Sequence, residues 1–242
     1  MSGIGEGERV AKVIARAGIC SRRAAEVLIS EGKVQIDGKV IDSPAIKVNA
    51  SNKIMVNGKF LPHIEKARLW IFHKPRNCLT TNKDPEGRAT IFDLLPKALP
   101  RVVTVGRLDY NSEGLLLLTN DGGLARHMEL PANALSRRYR ARGYGSLNMR
   151  VIEEIRQGIT IEGIKYEPAL IELEKSTGDN FWLDVTVTEG KNREVRKLLY
   201  HAGLEVSRLI RTEYGPFKLD ALPRGAIVEI AEKDFIGKIG YK

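Results

Sequence analysis

The stretch VGRLDYNSEGLLLLTNDGGLARHM, residues 105–128, gathers the polar side chains best placed to do chemistry. Asp109 lies in a polar loop bounded by Gly106 and Gly114. On either side are apolar runs that read as buried strands, Val102–Val105 and Leu115–Leu118. A carboxylate held there sits on a rigid scaffold and can face a cleft, where it can act as a nucleophile or as a general acid–base. By spacing alone it is as readily a turn aspartate, the commoner use of the residue in such a loop. Asp109 and Glu113 together suggest a glycosidase pair, in which two carboxyls flank a scissile bond. That pairing leaves the basic N-terminal region without a role. His63, His73, His127 and His201 are isolated, and Cys20 and Cys78 have no ligand spacing. They predict packing or surface histidines, reduced thiols and no metal. Gly106 and Gly114 are not followed by Gly-Lys-Ser/Thr, which argues against a nucleotide-binding loop.

The elements around this loop fall into two compositions. Residues 1–60 carry 10 basic and 6 acidic side chains, against 29 and 24 in the other 182, so the net charge of +9 is denser at the N-terminus. Such an excess favours a polyanionic partner. Val10, Val13, Ile14 and Ala17 recur at helical spacing from Glu8, with Gly18 as a stop. Ser21 can cap a second helix through Ala24, Val27 and Leu28 to Gly32. Asp37-Gly38 and Asn57-Gly58 read as hairpin turns. Arg9, Lys12 and Arg16 share one helix face, and Arg22 and Arg23 open the second helix. These five are candidates for RNA phosphate contact, with a solvated basic surface as the equal alternative.

The segment RVAKVIARAGICSRRAAEVLISEGKVQIDGKVI resembles the S4-type RNA-binding domain, over nearly all of residues 8–55. The resemblance implies two helices that present basic side chains to folded RNA, where phosphates and shape count for more than base edges. The expected organisation is an S4-type domain over 8–60, a polar linker at 61–67, and a catalytic domain over 68–242. In the latter, Phe181, Leu183, Val185 and Val187 alternate with Trp182, Asp184, Thr186 and Thr188, which predicts a two-faced strand. Val195, Leu198, Leu199 and Ala202 predict a helix ending at Gly203. The fold class expected is α+β, with a small N-terminal α/β domain and a mixed, largely antiparallel sheet with flanking helices.

The string GRLD followed by S-x-GLLLLTNDG resembles the catalytic motif of one group of ribosomal RNA pseudouridine synthases. That group comprises the type A synthases of the small ribosomal subunit, and the type B synthases of the large one. Other motifs follow in the same order. FHKPRNCLTTNKDPEGRATIFDLLP matches the Lys-Pro motif, with Asn77 where the family usually has Gly. RRYRARGYG places Tyr139 at the active-site tyrosine, and VTVTEGKNREVRKLL places Arg196 at the conserved basic position. NREVR and SRLIR are closest to type B of the group, which acts on 23S ribosomal RNA. The resemblance implies Asp109 as catalytic carboxylate, Arg196 as its ionic partner and Tyr139 against the extruded base. Arg107 would help to extrude or replace the uridine. The isomerisation changes no oxidation state and loses no atom, so no cofactor is expected. Alternatives are a 16S-directed synthase or a ribosome-associated RNA-binding protein that has lost catalysis. The expected partner is ribosomal RNA, 23S by the motif details, free or in pre-ribosomal particles. With no long apolar run and no secretory start, the expectation is a monomeric cytoplasmic protein without membrane contact.

Overall fold

The computed structural model describes residues 7–241. They divide into two compact units: one runs up to Arg68 and takes in Pro100–Val103 and Asn120–Gly122, and the other holds the rest. In the first unit the order is β1 (Glu8–Arg9), α1 (Val10–Arg16), α2 (Arg22–Ser30), β2 (Val34–Ile36), β3 (Lys39–Val40), β4 (Lys47–Val48), β5 (Ile54–Val56) and β6 (Lys59–Phe60). Val10, Val13 and Ile14 are fully buried, as the helical spacing requires, and close on Ala25, Ile29, Val34, Ile54 and Val56. Ser21 caps α2 by accepting a hydrogen bond from Ala24 N at 3.1 Å. Asp37-Gly38 and Asn57-Gly58 each place two successive residues at positive φ (51° and 80°; 51° and 74°), the backbone that tight hairpins need. Strands β3-β2-β5-β6 form one small sheet. Within the polar stretch 61–67, Ile64 is buried and Leu61 packs against the same core.

One expectation for this unit is corrected. The first helix starts at Val10 rather than Glu8, because Glu8 and Arg9 are extended and pair with Val48 and Lys47.

The second unit contains, apart from the first residues of β8 and α3, β7 (Leu69–Lys74), β8 (Val103–Val105), β9 (Ser112–Thr119), α3 (Gly122–Glu129), β10 (Arg137–Gly145), α4 (Met149–Gln157), β11 (Ile159–Ile161) and β12 (Ile164–Tyr166). It continues with β13 (Leu170–Thr177), β14 (Asn180–Val187), α5 (Glu194–His201), β15 (Leu204–Tyr214), β16 (Phe217–Lys218), β17 (Ile227–Ile230) and α6 (Glu232–Ile239). A nine-stranded sheet runs β13-β14-β10-β15-β9-β7-β17, with β16 on β15 and β8 on β9. Strand β9 is parallel to β15 and antiparallel to β7, so the sheet is mixed and largely antiparallel, in the α+β class expected. Every residue of β9 is buried, which is why its leucines run without alternation. Gly114 is what lets β9 approach β15: a Cβ there would lie 2.3 Å from Arg211 O, and its φ is +110°. Ile152 and Ile155 of α4 and Val195, Leu198 and Leu199 of α5 pack with Ala141, Leu183, Val185 and Leu209 from the sheet. Each of these valines, leucines and isoleucines contributes about 1.5–3 kcal/mol by burial. No helix among the described residues is long and apolar enough to cross a membrane.

Candidate active site

The end of β7 fixes the loop that carries Asp109. Lys74 is fully buried, and its Nζ donates to Pro75 O (3.1 Å), Asp109 O (3.1 Å) and Ser112 O (2.9 Å). Burial pushes the Lys74 ammonium below its usual range, with the neighbouring Cys78 and Asp109 acting against that. Thr80 Oγ1 donates to Leu108 O at 2.8 Å, and Asn77 N donates to Tyr110 O at 2.9 Å. Asn77 takes a φ of +62°, the turn backbone for which glycine is the commoner choice. The loop is therefore tied at Leu108, Asp109, Tyr110 and Ser112, and the Asp109 side chain is left to project.

The Asp109 carboxylate is 33% exposed. Arg193 Nη1 lies 3.8 Å and Arg196 Nε 4.0 Å from its Oδ2, so two guanidiniums flank it. Among the described residues none donates a hydrogen bond to it. Arg196 is held by other acceptors: its Nη1 donates to Val206 O at 2.8 Å and its Nη2 to Asn111 O at 3.3 Å. Its Nε is buried and without a hydrogen-bond partner. Burial, then the neighbouring Arg193, lowers the proton affinity of this guanidinium, and Asp109 offsets part of that.

A cavity of about 280 Å³ opens beside Asp109, lined by Tyr139, Arg137, Arg193, Leu209 and Arg211 among others. Arg107, exposed, stands at its wall. Arg137 donates to Thr188 O (2.7 Å) and to Tyr214 Oη (2.9 Å), and Arg211 Nε donates to Leu115 O (2.7 Å). Neither of these two buried arginines has a carboxylate partner among the described residues, although Glu129, Glu189 and Glu194 also line the cavity.

Asp109, Tyr139 and Arg107 thus line one cavity of the second unit, and Arg196, which does not line it, reaches the site through Asp109 at 4.0 Å. The N-terminal candidates lie in the first unit. There Arg9, Arg22 and Arg23 are exposed. Arg16 is otherwise engaged than expected: its side chain is 15% exposed and grips Glu8 with both Nη atoms at 3.2 and 2.5 Å, while Lys12 joins the same carboxylate at 2.6 Å. The shared basic face is partly neutralised by an acid on the strand that precedes the helix, a partner that helical spacing does not reveal. Sequence reading assigned no role to Arg193, Arg137, Arg211, Lys74 or Glu194, although Lys74 is the lysine of the Lys-Pro motif and Arg137 and Arg211 stand in the RRYRARGYG and SRLIR strings. The signal for Arg193 and Glu194 was present, since both stand inside the NREVR string that drew attention to Arg196.

Comparison with known proteins adds the following. A family model described as RNA pseudouridylate synthase matches residues 68–201, and an S4 domain model matches residues 8–54. An uncharacterized RNA pseudouridine synthase of Rickettsia felis is 50% identical, over 93% of this chain and 98% of its own length. Ribosomal large subunit pseudouridine synthase B of Pasteurella multocida is 42% identical over 93% of this chain and 67% of its own. The protein of that name from Yersinia pestis is also 42% identical, over 93% and 73%. A crystal structure of a pseudouridylate synthase superposes with a TM-score of 0.68 at 25% identity, covering 96% of this chain and 99% of the other.

Proposed function

The chain belongs to the RNA pseudouridylate synthase family, and on that footing we propose that it isomerises a uridine of 23S ribosomal RNA, with Asp109 as the catalytic carboxylate. The observation that carries the chemical assignment is the Asp109 side chain itself: partly exposed at the cavity, flanked by two guanidiniums and hydrogen-bonded by no described residue. The choice of 23S draws on the names of the relatives from Pasteurella multocida and Yersinia pestis.

The reaction breaks the N1–C1′ bond of uridine, turns the uracil and joins C5 to C1′; C5 loses a proton and N1 gains one. Asp109 either attacks C1′ or takes a ribose proton to give a glycal, and both roles use an ionised carboxylate. Arg193 and Arg196 supply positive potential there without occupying its lone pairs. The uridine must leave its stack to reach the cavity, and Tyr139 offers a ring against which the base can rest. Arg107, at the cavity wall, takes part in extruding or replacing it. Residues 8–60, through Arg9, Arg22 and Arg23, dock the RNA; residues 68–242 perform the chemistry, and 61–67 join them. One unit lines the whole cavity, so a monomer suffices, working in the cytoplasm where ribosomal RNA is the substrate.

Pseudouridine mapping of 23S and 16S ribosomal RNA from cells with and without the protein tests this reading. One or more 23S sites should vanish without it. Loss confined to 16S would overturn the 23S target, and no loss in either would overturn the function.

A further inference from the structure

The cavity uses one face of the sheet, and the other face near Glu113 carries a cluster that isomerisation does not require. Ser112 and Gly114 of β9 stand opposite Leu209 and Arg211 of β15, whose side chains line the cavity. By strand alternation Glu113, between them, points to the opposite face, as does Arg208 next to Leu209. Glu113 has a side chain 2% exposed, which would be costly for an unpaired carboxylate. It is paired twice, by Arg208 Nε at 2.6 Å and Arg224 Nε at 3.0 Å. Burial alone would raise its pKa, but the Arg208 guanidinium, with Arg224 and Arg76 beyond it, holds the carboxyl below its usual range.

Both guanidiniums meet Glu113 through Nε. No described residue partners the outward Nη groups of Arg208, 34% exposed, or of Arg224, 59% exposed. Arg142 is directly opposite Arg208 in the β10–β15 register, is exposed, and bonds only the neutral Asn180 Oδ1 at 3.0 Å. Like charges directly opposite on neighbouring strands repel. One carboxylate cannot balance the three guanidiniums of Arg142, Arg208 and Arg224. An arrangement that is unfavourable when empty becomes favourable once an anion sits among the guanidiniums, and phosphate oxygens suit their planar donors.

We propose that Arg208 and Arg224, both held by Glu113, form with Arg142 opposite Arg208 an RNA phosphate-binding site on the sheet face opposite the cavity. The site holds a stretch of the substrate RNA other than the reacting nucleotide. This rests on the chain acting on RNA. Glu113 is a positioning residue whose carboxylate aims the arginines, so the substrate must be long enough to reach both faces.

The test uses the full chain and a 23S ribosomal RNA fragment on which the wild type forms pseudouridine. Affinity is titrated at several salt concentrations, and isomerisation is measured under saturating single turnover. Arg142→Gln and Arg224→Gln should each weaken binding by about 3- to 10-fold and flatten the salt slope by about one counterion, leaving the saturated rate unchanged. Glu113→Gln makes the protein more positive, so a purely electrostatic surface would bind RNA more tightly; the organised site predicts weaker binding. Tighter binding by a folded Glu113→Gln overturns the positioning role. Should that variant not fold, the two exposed arginines decide: wild-type affinity and salt slope in both overturn the site. A wild type that makes no pseudouridine in any ribosomal RNA fragment refutes the proposed function instead, while the binding measurements still report on the arginines.

Discussion

Asp109, in the loop before β9, shows a third of its side chain to solvent and meets guanidiniums only at 3.8 and 4.0 Å. Glu113, four residues later on the strand itself, is almost wholly buried and is gripped by Arg208 at 2.6 Å and Arg224 at 3.0 Å. The two carboxylates have the same chemistry and nearly the same place in the chain. A carboxylate that must react keeps its lone pairs unspent and an open approach, with positive charge close enough to stabilise it and too far to bind it. A carboxylate that must organise is held by close ion pairs, here one of them a short charge-assisted hydrogen bond from Arg208, and acts only through the groups it holds. The backbone separates them: Asp109 lines the cavity from its loop, and Glu113, on β9, points to the opposite face of the sheet from the cavity-lining Ser112.

Exchanging each for its amide is the sharpest way to break this contrast. Asp109→Asn should reduce single-turnover isomerisation by at least about 10³-fold, measured as tritium release from C5-labelled uridine in a 23S fragment, with RNA affinity nearly unchanged. Glu113→Gln should leave the saturated rate close to wild type. Comparable loss of rate in the two would make Glu113 part of the chemistry and end the distinction. Lys74 supports only the reactive member of the pair. Lys74→Met leaves the carbonyls of Pro75, Asp109 and Ser112 without their buried donor. It should lower unfolding stability by about 2–4 kcal/mol, read by urea denaturation. A wild-type midpoint would show that the loop holds without the ammonium.

The two guanidiniums near Asp109 should differ in turn. Arg196 is 11% exposed and bridges Val206 O and Asn111 O, whereas Arg193 is 50% exposed. Arg196→Met should slow the saturated reaction by about 10²-fold, and Arg196→Lys, which restores the charge, should recover much of that. Arg193→Gln should cost less, about 10-fold or under, because water screens its charge. Equal losses at both positions would mean that burial does not set their worth.

Much of this was legible beforehand, for identifiable reasons. Asp109, Tyr139 and Arg196 stand inside long motifs, and Leu115–Leu118, Ser21 and the Asp37-Gly38 turn obey local rules of burial, capping and hairpin backbone. Features that depend on pairing across the sheet were not legible. Glu113 reads in sequence only as a candidate second carboxylate beside Asp109 until β15 brings Arg208 beside it, and Arg142 becomes part of a cluster only through the β10–β15 register. Arg16 failed in the opposite direction. Its spacing suggested a free basic face, but extended Glu8 folds its carboxylate onto both Arg16 and Lys12. Charge composition counts side chains, and only the fold decides which are already neutralised.

A third carboxyl sharpens the comparison by its surroundings. Glu194, the first residue of α5, is 4% exposed like Glu113, but faces another acid, Glu189, where Glu113 has arginines. Its Oε2 accepts from Lys191 N at 3.1 Å, and its Oε1 is buried without a hydrogen-bond partner. Burial first, and then Glu189, pushes its pKa up to about 8. Glu189 moves the other way: burial works against it, but the Lys191 ammonium holds it below the usual range. The sign for Glu194 follows from linkage. Its folded pKa is above the unfolded value, so the stability it contributes is fully present below about 4.5, falls as pH rises, and levels off above about 8. Glu189 has a depressed folded pKa, so its contribution is present above the unfolded value and is lost only as pH falls below it, outside that window. Glu194→Gln keeps an acceptor for Lys191 N and removes the titration. Relative to wild type it should therefore gain stability steadily from pH 5 to pH 8 and no further by pH 9, with little change in isomerisation at pH 7. Urea denaturation of both proteins at pH 5, 7, 8 and 9 measures this directly. Parallel stability curves would mean that Glu194 ionises as an ordinary glutamate, and that its contrast with Glu113 is one of position alone.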